Sequence, residues 1–328
     1  MSTTNYRDYI YTAADMATLH VEYDRYLKAS PGIKFGLPCI DRCVIPARGG
    51  NLIAFAARPG HGKTSMMARW ARDTAYDIVE RGMAHQECVV YITLEQPAEE
   101  LEGFFSANRN YTASDYAWGR ANSKHVDAAA LERIKLPLWI MGHSLTKKQR
   151  LPPLTPEVMY QAIRQIGEDY DGREVILALI DYIQIVPMSG VFRSRKERVD
   201  EALIELKQLA ISMGLPFGFG AQASREVDKL RVKIPRPEHC QDTSKIEQTV
   251  DKGYGLWMPW LTEKPDYEFK QTSRDGKETR VPNSPDLLII GMWKQRMEQG
   301  RFTWTTRFTP QELKLAEMEL EQQAPLDF

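Results

Sequence analysis

Ala56-Ala57-Arg58-Pro59-Gly60-His61-Gly62-Lys63-Thr64-Ser65 follows the apolar run Leu52-Ile53-Ala54-Phe55. It opens a helical pattern at Met66, Met67, Trp70, Ala71, Thr74, Ala75 and Ile78. A strand, a glycine-containing loop, Gly-Lys-Thr and a helix make the layout of a phosphate-binding loop. Backbone N–H groups at the helix start point at phosphate oxygens, and the helix dipole favours negative charge there. Gly60 and Gly62 let the chain curl without a Cβ, Lys63 reaches the β- and γ-phosphates, and the Thr64 hydroxyl can ligate Mg²⁺. The loop from Arg58 to Ser65 is therefore the candidate nucleotide site, with ATP and Mg²⁺ as its expected ligands. Ala57 stands where the usual pattern has its first glycine.

Outward from this loop the chain alternates strands and helices. Cys88–Leu94 reads as a second buried strand ending at Glu95, and Leu136–Met141 as a short one. Val175-Ile176-Leu177-Ala178-Leu179-Ile180 is apolar throughout, as in a central parallel strand covered on both faces, and Asp181 closes it. Phe217–Ala221 is a further strand ending at Gln222, and Leu256–Trp260, Leu287–Ile290 and Thr303–Phe308 supply more. Helical periodicity marks residues 112–135, a helix after Thr155-Pro156, and the amphipathic stretch from Val199 to Met213 that Gly214-Leu215-Pro216 stops. The fold expected is α/β, with a mainly parallel sheet flanked by helices. Residues 262–285 read as a polar surface insertion, 189–198 as a basic loop, and the tail after Gln311 as a short charged helix. Residues 1–31 form an N-terminal arm with a helix near its end, 32–310 the main domain and 311–328 the tail.

Composition narrows the class. The 328 residues carry a net charge of −1, so a polyanion would have to bind a local patch rather than a global basic field. No run of 18 apolar residues exists, and the polar N-terminus is no signal peptide, which leads to a cytoplasmic expectation. Cys39, Cys43, Cys88 and Cys240 lack zinc-ligand spacing and read as reduced thiols.

Hydrolysis needs more than a phosphate loop. Asp181 suits the carboxylate that orients Mg²⁺, and Glu95 can polarise the attacking water, the alternative for Glu95 being a helix cap. In an open α/β sheet the strand ends carrying these groups converge on one crevice. Lys294 and Arg296 alternate with Gln295, which puts two cations on one face of an extended segment. They are candidates for a transition-state cation supplied by a neighbouring subunit, against the alternative of a solvated basic hairpin.

Ala57-Arg58-Pro59 through Thr64, Thr93-Leu94-Glu95-Gln96-Pro97 through Leu101, and Leu179-Ile180-Asp181-Tyr182-Ile183-Gln184 occur in an order that resembles the RecA-like motor domain of DnaB-family replicative helicases. Ala221-Gln222-Ala223-Ser224-Arg225 resembles that family's Ser-Gln-Leu-x-Arg, with Ala221 departing from the serine. Ile246-Glu247-Gln248 with Asp251, Lys294-Gln295-Arg296 and Leu154-Thr155-Pro156 match further stretches. The likeness runs from about Gly32 to Phe308.

The resemblance implies a RecA-like ATPase that assembles as a hexameric ring, translocates on single-stranded DNA and unwinds duplex during replication. It implies Gln222 as a relay from phosphate to DNA loops, and a pore loop at Phe192–Arg198. With Arg193, Arg195, Lys196 and Arg198, the next loop's Lys229, Arg231, Lys233 and Arg236 make a phosphate-tracking patch, unless they are merely solvated. It also implies that the helix over residues 13–29 docks on the adjacent subunit. Only about 30 residues precede the motor, so the family's collar is not expected, which leaves collar-borne partner contacts open. Gln323-Ala324-Pro325-Leu326-Asp327-Phe328 resembles a sliding-clamp-binding peptide, the alternative being a frayed tail. Two other classes stay in play: a non-unwinding DNA-dependent ATPase, acting as a regulator or recombination mediator, and an assembly ATPase that holds no nucleic acid.

Overall fold

Thr12 breaks the N-terminal arm because its side chain is a helix cap. It accepts from Asp15 N at 3.2 Å while the Asp15 carboxylate accepts from Thr12 N at 2.8 Å, which starts α1 (Ala13–Ala29). The structure is a computed structural model that describes residues 6–108, 110–170, 172–243, 245–272, 278–297 and 302–318. No residue of α1 is buried, and Met16, Leu19, Tyr23 and Tyr26 are all exposed. After the short α2 (Pro38–Asp41), β1 (Leu52–Ala57) leads through the phosphate loop into α3 (Lys63–Glu80). Then come β2 (Glu87–Thr93), α4 (Ala98–Ser106), α5 (Ala113–Ala117), α6 (Ser123–Arg133) and β3 (Leu138–Met141). The second half of the parallel region holds α7 (Pro156–Asp169), β4 (Glu174–Asp181), α8 (Arg195–Met213), β5 (Phe217–Gln222), α9 (Ile246–Thr249) and β6 (Lys252–Trp257). Five strands close the chain: β7 (Glu268–Thr272), β8 (Glu278–Pro282), β9 (Leu287–Gln295), β10 (Phe302–Thr309) and β11 (Lys314–Glu317).

The main sheet has the order β11-β10-β9-β6-β1-β5-β4-β2-β3. β6, β1, β5, β4, β2 and β3 run parallel, and β9, β10 and β11 add an antiparallel flank. Alternation along β1 divides the core. Ile53, Phe55 and Ala57 face the layer holding Met66 and Trp70 of α3 with Leu101 and Phe105 of α4. Leu52, Ala54 and Ala56 face Met159 and Ile163 of α7 and Val199, Leu203 and Leu206 of α8. Each fully buried side chain of this size contributes roughly 1.5–3 kcal/mol, so both layers are strongly pinned to the sheet. The expected α/β architecture is what the chain adopts. Among the described residues no helix is long and apolar enough to cross a membrane.

Four local expectations are corrected. Residues 112–135 are two helices, broken at Trp118–Asn122 where Gly119 takes a φ of +64° and Asn122 caps α6. The tail does not begin as a helix: Leu313 turns at a φ of +52° and Lys314–Glu317 pairs with Thr306–Thr309, extending the sheet by one strand. Within residues 262–285, β7 and β8 form a hairpin, and Phe269 and Val281 are buried against Trp257, Leu287 and Ile289. That hairpin covers the antiparallel flank, so its face bearing Phe269, Gln271 and Val281 is buried rather than solvated surface. β6 also starts earlier than its apolar run, at Lys252. The clamp-like segment Gln323–Phe328 lies outside the described residues.

Candidate nucleotide site

Register brings the site together. Thr93 of β2 is level with Asp181 of β4, Ile180 is level with Phe219 of β5, and Ala57 of β1 is level with Gln222 of β5. The carboxyl ends of four parallel strands thus present the phosphate loop, Glu95, Asp181 and Gln222 along one edge. Gly62 caps α3 with a φ of +77°, and a Cβ there would stand 3.0 Å from Phe308 Cε1. His61 is buried, and its Nδ1 accepts from Met258 N at 3.0 Å, tying the loop to the end of β6. Burial pushes the His61 pKa down to about 4, so the ring is neutral at pH 7. Arg58 donates to the Ala223 carbonyl at 3.0 Å and pairs with Asp228 at 3.2 Å, so this residue fastens the loop to the segment after β5.

Asp181 is the centre of the site, and it is 4% exposed. Burying an ionised carboxylate costs several kcal/mol unless partners compensate. Its Oδ2 accepts from Thr64 Oγ1 at 2.6 Å and from Tyr91 OH at 3.2 Å. Lys63 Nζ stands 3.1 Å from Oδ1 and 3.9 Å from the centroid of the Tyr182 ring. Oδ1 is buried and accepts no aligned hydrogen bond from the described residues. A carboxylate oxygen left in this state beside a threonine hydroxyl fits Mg²⁺, which takes one or two protein oxygens and keeps the rest for phosphate and water. Gly220 of β5 leaves the corridor open: a Cβ there would lie 2.8 Å from Lys63 Cδ and 3.1 Å from Asp181 Oδ1. Glu95 is exposed just beyond β2, makes no hydrogen bond or ion pair among the described residues, and through its charge raises the pKa of Tyr182 behind the larger effect of burial.

Lys294 and Arg296 lie elsewhere. β9 runs antiparallel to β6, so its end meets the start of that strand, with Gln295 level with Lys252. Arg296 pairs with Asp251 at 3.2 Å and Lys294 donates to the Glu247 carbonyl. The length of β1 from Leu52 to Ala57 puts these cations at least about 16 Å along the sheet from their own phosphate loop. Gln295 is buried and accepts from Ile45 N at 3.0 Å, Lys294 is half-buried, and Arg296 is exposed in the turn that follows β9.

The profile of the DnaB-like helicase C terminal domain matches residues 32–287. The chain belongs to that family. It is 26% identical over 226 residues to a "Probable plasmid replicative DNA helicase" of Chlamydia psittaci, a match covering 67% of this chain and 45% of the relative. To "Replicative DNA helicase DnaB" of Helicobacter pylori it is 24% identical over 264 residues, covering 79% and 50%. The chain therefore spans about half the length of these curated relatives. Its fold superposes on a solved ATPase domain with a TM-score of 0.72 at 18% identity, covering 94% of this chain and 100% of the other. A DnaB-like replicative helicase, solved for its interactions with primase, gives a TM-score of 0.71 at 18% identity over 94% of this chain and 68% of that one.

In this DnaB-like domain the basic residues divide into two groups. Arg193, Arg195, Lys196 and Arg231 are exposed, and Arg195 pairs with Asp242 at 3.0 Å. Arg198 and Lys233 are already engaged within the chain: Arg198 donates to the Gln184 carbonyl at 2.8 Å, and Lys233 is ion-paired to Glu263 with both side chains largely covered. The basic loop also ends sooner than its charge run suggests, because Ser194 caps α8 by accepting from Glu197 N at 3.1 Å. Arg195, Lys196 and Arg198 therefore sit on the first turn of a helix.

Gln184 and Tyr91 carry roles that the sequence reading leaves unassigned. Gln184 is fully buried; its Oε1 accepts from Gln222 N at 3.1 Å, and its Nε2 donates to the carbonyls of Gln222 at 3.2 Å and Gln241 at 3.1 Å. It joins the strand of Asp181 to the strand of Gln222. Only its place shortly after Asp181 could have hinted at this. Tyr91 had a clearer signal, being a phenol set inside an otherwise apolar strand.

Proposed function

We propose that this chain is the motor of an ATP-driven helicase that assembles as a ring and moves along single-stranded DNA to unwind duplex in replication. The observation that carries the reading is the Lys63–Thr64–Asp181 cluster at the end of a family-matched sheet. Backbone N–H groups from Gly60 to Ser65 receive the phosphates of ATP, and Lys63 leaves Asp181 to meet them. Thr64 Oγ1 and Asp181 would hold Mg²⁺, which would supply positive charge to offset that of the phosphates. Glu95 orients and deprotonates water from its exposed place beyond β2. Gln222 senses the phosphates, and Gln184 passes its displacement to the strand of Asp181 and the start of α8.

The position of Arg296 supports its service to a neighbouring subunit, since its own phosphate loop is at the other end of the sheet. The unburied α1 with its apolar side chains supports docking of that helix on the next subunit in a hexamer. Arg193, Arg195, Lys196 and Arg231 are the proposed contacts to DNA phosphates. We place the protein in the cytoplasm with its DNA. Titration of a Gln323–Phe328 peptide against a bacterial sliding clamp tests the clamp contact.

Strand separation on a forked duplex tests the reading. Purified protein should unwind the fork with ATP and Mg²⁺, and Lys63→Ala should not. DNA-stimulated ATP hydrolysis without unwinding would instead support a DNA-bound regulator or mediator, and hydrolysis indifferent to DNA would sink both. Mixing Arg296→Ala with Lys63→Ala should restore some turnover, because mixed rings contain interfaces with both groups intact.

A further inference from the structure

At the end of the sheet remote from the phosphate loop, one buried carboxylate ties four elements together. Asp251 is 3% exposed. Its Oδ2 accepts from Leu52 N at the start of β1 at 2.8 Å and from Lys207 Nζ of α8 at 2.6 Å. Its Oδ1 faces Arg296 Nε at 3.2 Å, and its backbone carbonyl accepts from Arg296 N at 2.8 Å. Lys207 is fixed in turn by donating to the Gly50 carbonyl at 2.7 Å.

Two features of this cluster go beyond simple stabilisation. First, Asp251 holds the guanidinium of Arg296 by an ion pair, with Nε 3.2 Å from Oδ1, rather than by an aligned two-pronged hydrogen bond. Among the described residues neither terminal nitrogen of Arg296 makes a hydrogen bond, and half of the side chain is exposed. Those terminal nitrogens form the planar fork that matches phosphate oxygens. Second, one carboxylate serves two cations, Lys207 and Arg296, so the cluster keeps an excess positive charge at its exposed member. Lys207 keeps Asp251 neutralised whether Arg296 is present or not, and the arginine can direct its charge outward.

We propose that Asp251 is the positioning residue of Arg296, holding its fork toward the phosphate bound by a neighbouring subunit, and that Lys207 fixes the Asp251 carboxylate so that the aim of Arg296 follows α8. This rests on Arg296 acting in trans. α8 opens at a turn carrying the exposed Arg195 and Lys196, so the same rigid helix carries the proposed DNA contacts at its start and the anchor of Arg296 about three turns later.

Steady-state ATP turnover tests the proposal on Asp251→Asn, Arg296→Ala and the double variant, with nucleotide binding and ring formation measured alongside. Asp251→Asn should lower kcat about 10–100-fold, the scale of a misaimed catalytic group, and leave KM for ATP within about twofold because the phosphate loop is untouched. The double variant should be no slower than Arg296→Ala, since Asp251 acts through that side chain. Because Asp251→Asn leaves Lys207 without its partner, the comparison is repeated with Lys207→Met added, which returns the cluster to its wild-type net charge. Near-normal kcat in folded Asp251→Asn, or losses that multiply in the double variant, would overturn the positioning role while leaving Arg296 in trans. Full turnover by Arg296→Ala would remove the trans reading itself, and this inference with it.

Discussion

His61→Asn should make the domain less sensitive to acid. The wild-type imidazole is 4% exposed, and its Nδ1 accepts the Met258 N–H at 3.0 Å. A proton on that nitrogen ends the hydrogen bond and places a charge in a buried site near Arg58. Burial accordingly lowers the pKa from 6.5 to about 4, with Asp228 opposing the shift and Arg58 adding to it. The folded value lies below the unfolded one, so the neutral ring's contribution is complete above about pH 6.5 and is lost as the pH falls toward 4. At pH 5 those two values correspond to a loss of ~2 kcal/mol, nearly all of it absent at pH 7. Asparagine places Oδ1 close to where Nδ1 stood, keeps an acceptor for Met258 N, and does not titrate. Urea unfolding followed by tryptophan fluorescence at pH 7 and pH 5 measures the difference, since Trp257 and Trp304 are buried and report on the core. All other titrating groups are common to both proteins and cancel. Wild type should lose ~2 kcal/mol more than His61→Asn over this interval. Equal losses would refute the assignment of this acid sensitivity to His61.

Three further outcomes rest on the geometry of the site and its basic turn. Gly220→Ala should impair ATP turnover about tenfold or more, because its Cβ would stand 2.8 Å from Lys63 Cδ; unchanged kinetics would mean that Lys63 takes another path. Glu95→Gln should bind ATP normally and hydrolyse it ~10²–10⁴-fold more slowly, and near-normal turnover would remove Glu95 as the base. Arg195→Ala with Lys196→Ala should weaken single-stranded DNA binding and flatten the slope of log affinity against log salt by about 1.4, whereas an unaltered slope would make that turn an outer face. Arg198→Ala is the contrast, costing ~1–3 kcal/mol of stability through the unsatisfied Gln184 carbonyl and leaving the salt slope nearly intact.

What could be read from the chain depended on how local each signal was. The phosphate loop is specified within about ten residues: Gly60 and Gly62 supply the positive φ values and the flanking strand and helix are continuous in sequence. Asp181 was equally legible because an acid ending so apolar a strand demands partners. The tail misled because Leu313 to Met318 has good helix formers, yet an unpaired strand edge at β10 offers Lys314–Glu317 a ladder that helix propensity does not outweigh. β7 and β8 were hidden for a related reason, since only Phe269 and Val281 mark their buried face. The start of β6 was invisible because Gly253 and Gly255 carry no hydrophobic pattern; their lack of side chains instead admits Trp293 and Ile234-Pro235 against the sheet. Arg198 and Lys233 show the limit of counting charges: sequence gives the cation, and only packing tells whether a carbonyl or a carboxylate has already claimed it.

The separation of Arg296 from its own phosphate loop also bears on how many sites an assembly has. If that cation is supplied across each junction, as proposed above, sites belong to junctions rather than to subunits. An open string of subunits then has one working site fewer than it has members. Closing the string into a ring adds the missing site without adding protein, so turnover per subunit rises at the moment of closure. A population of short strings would be disproportionately slow, and diluting the protein would depress its rate faster than its concentration.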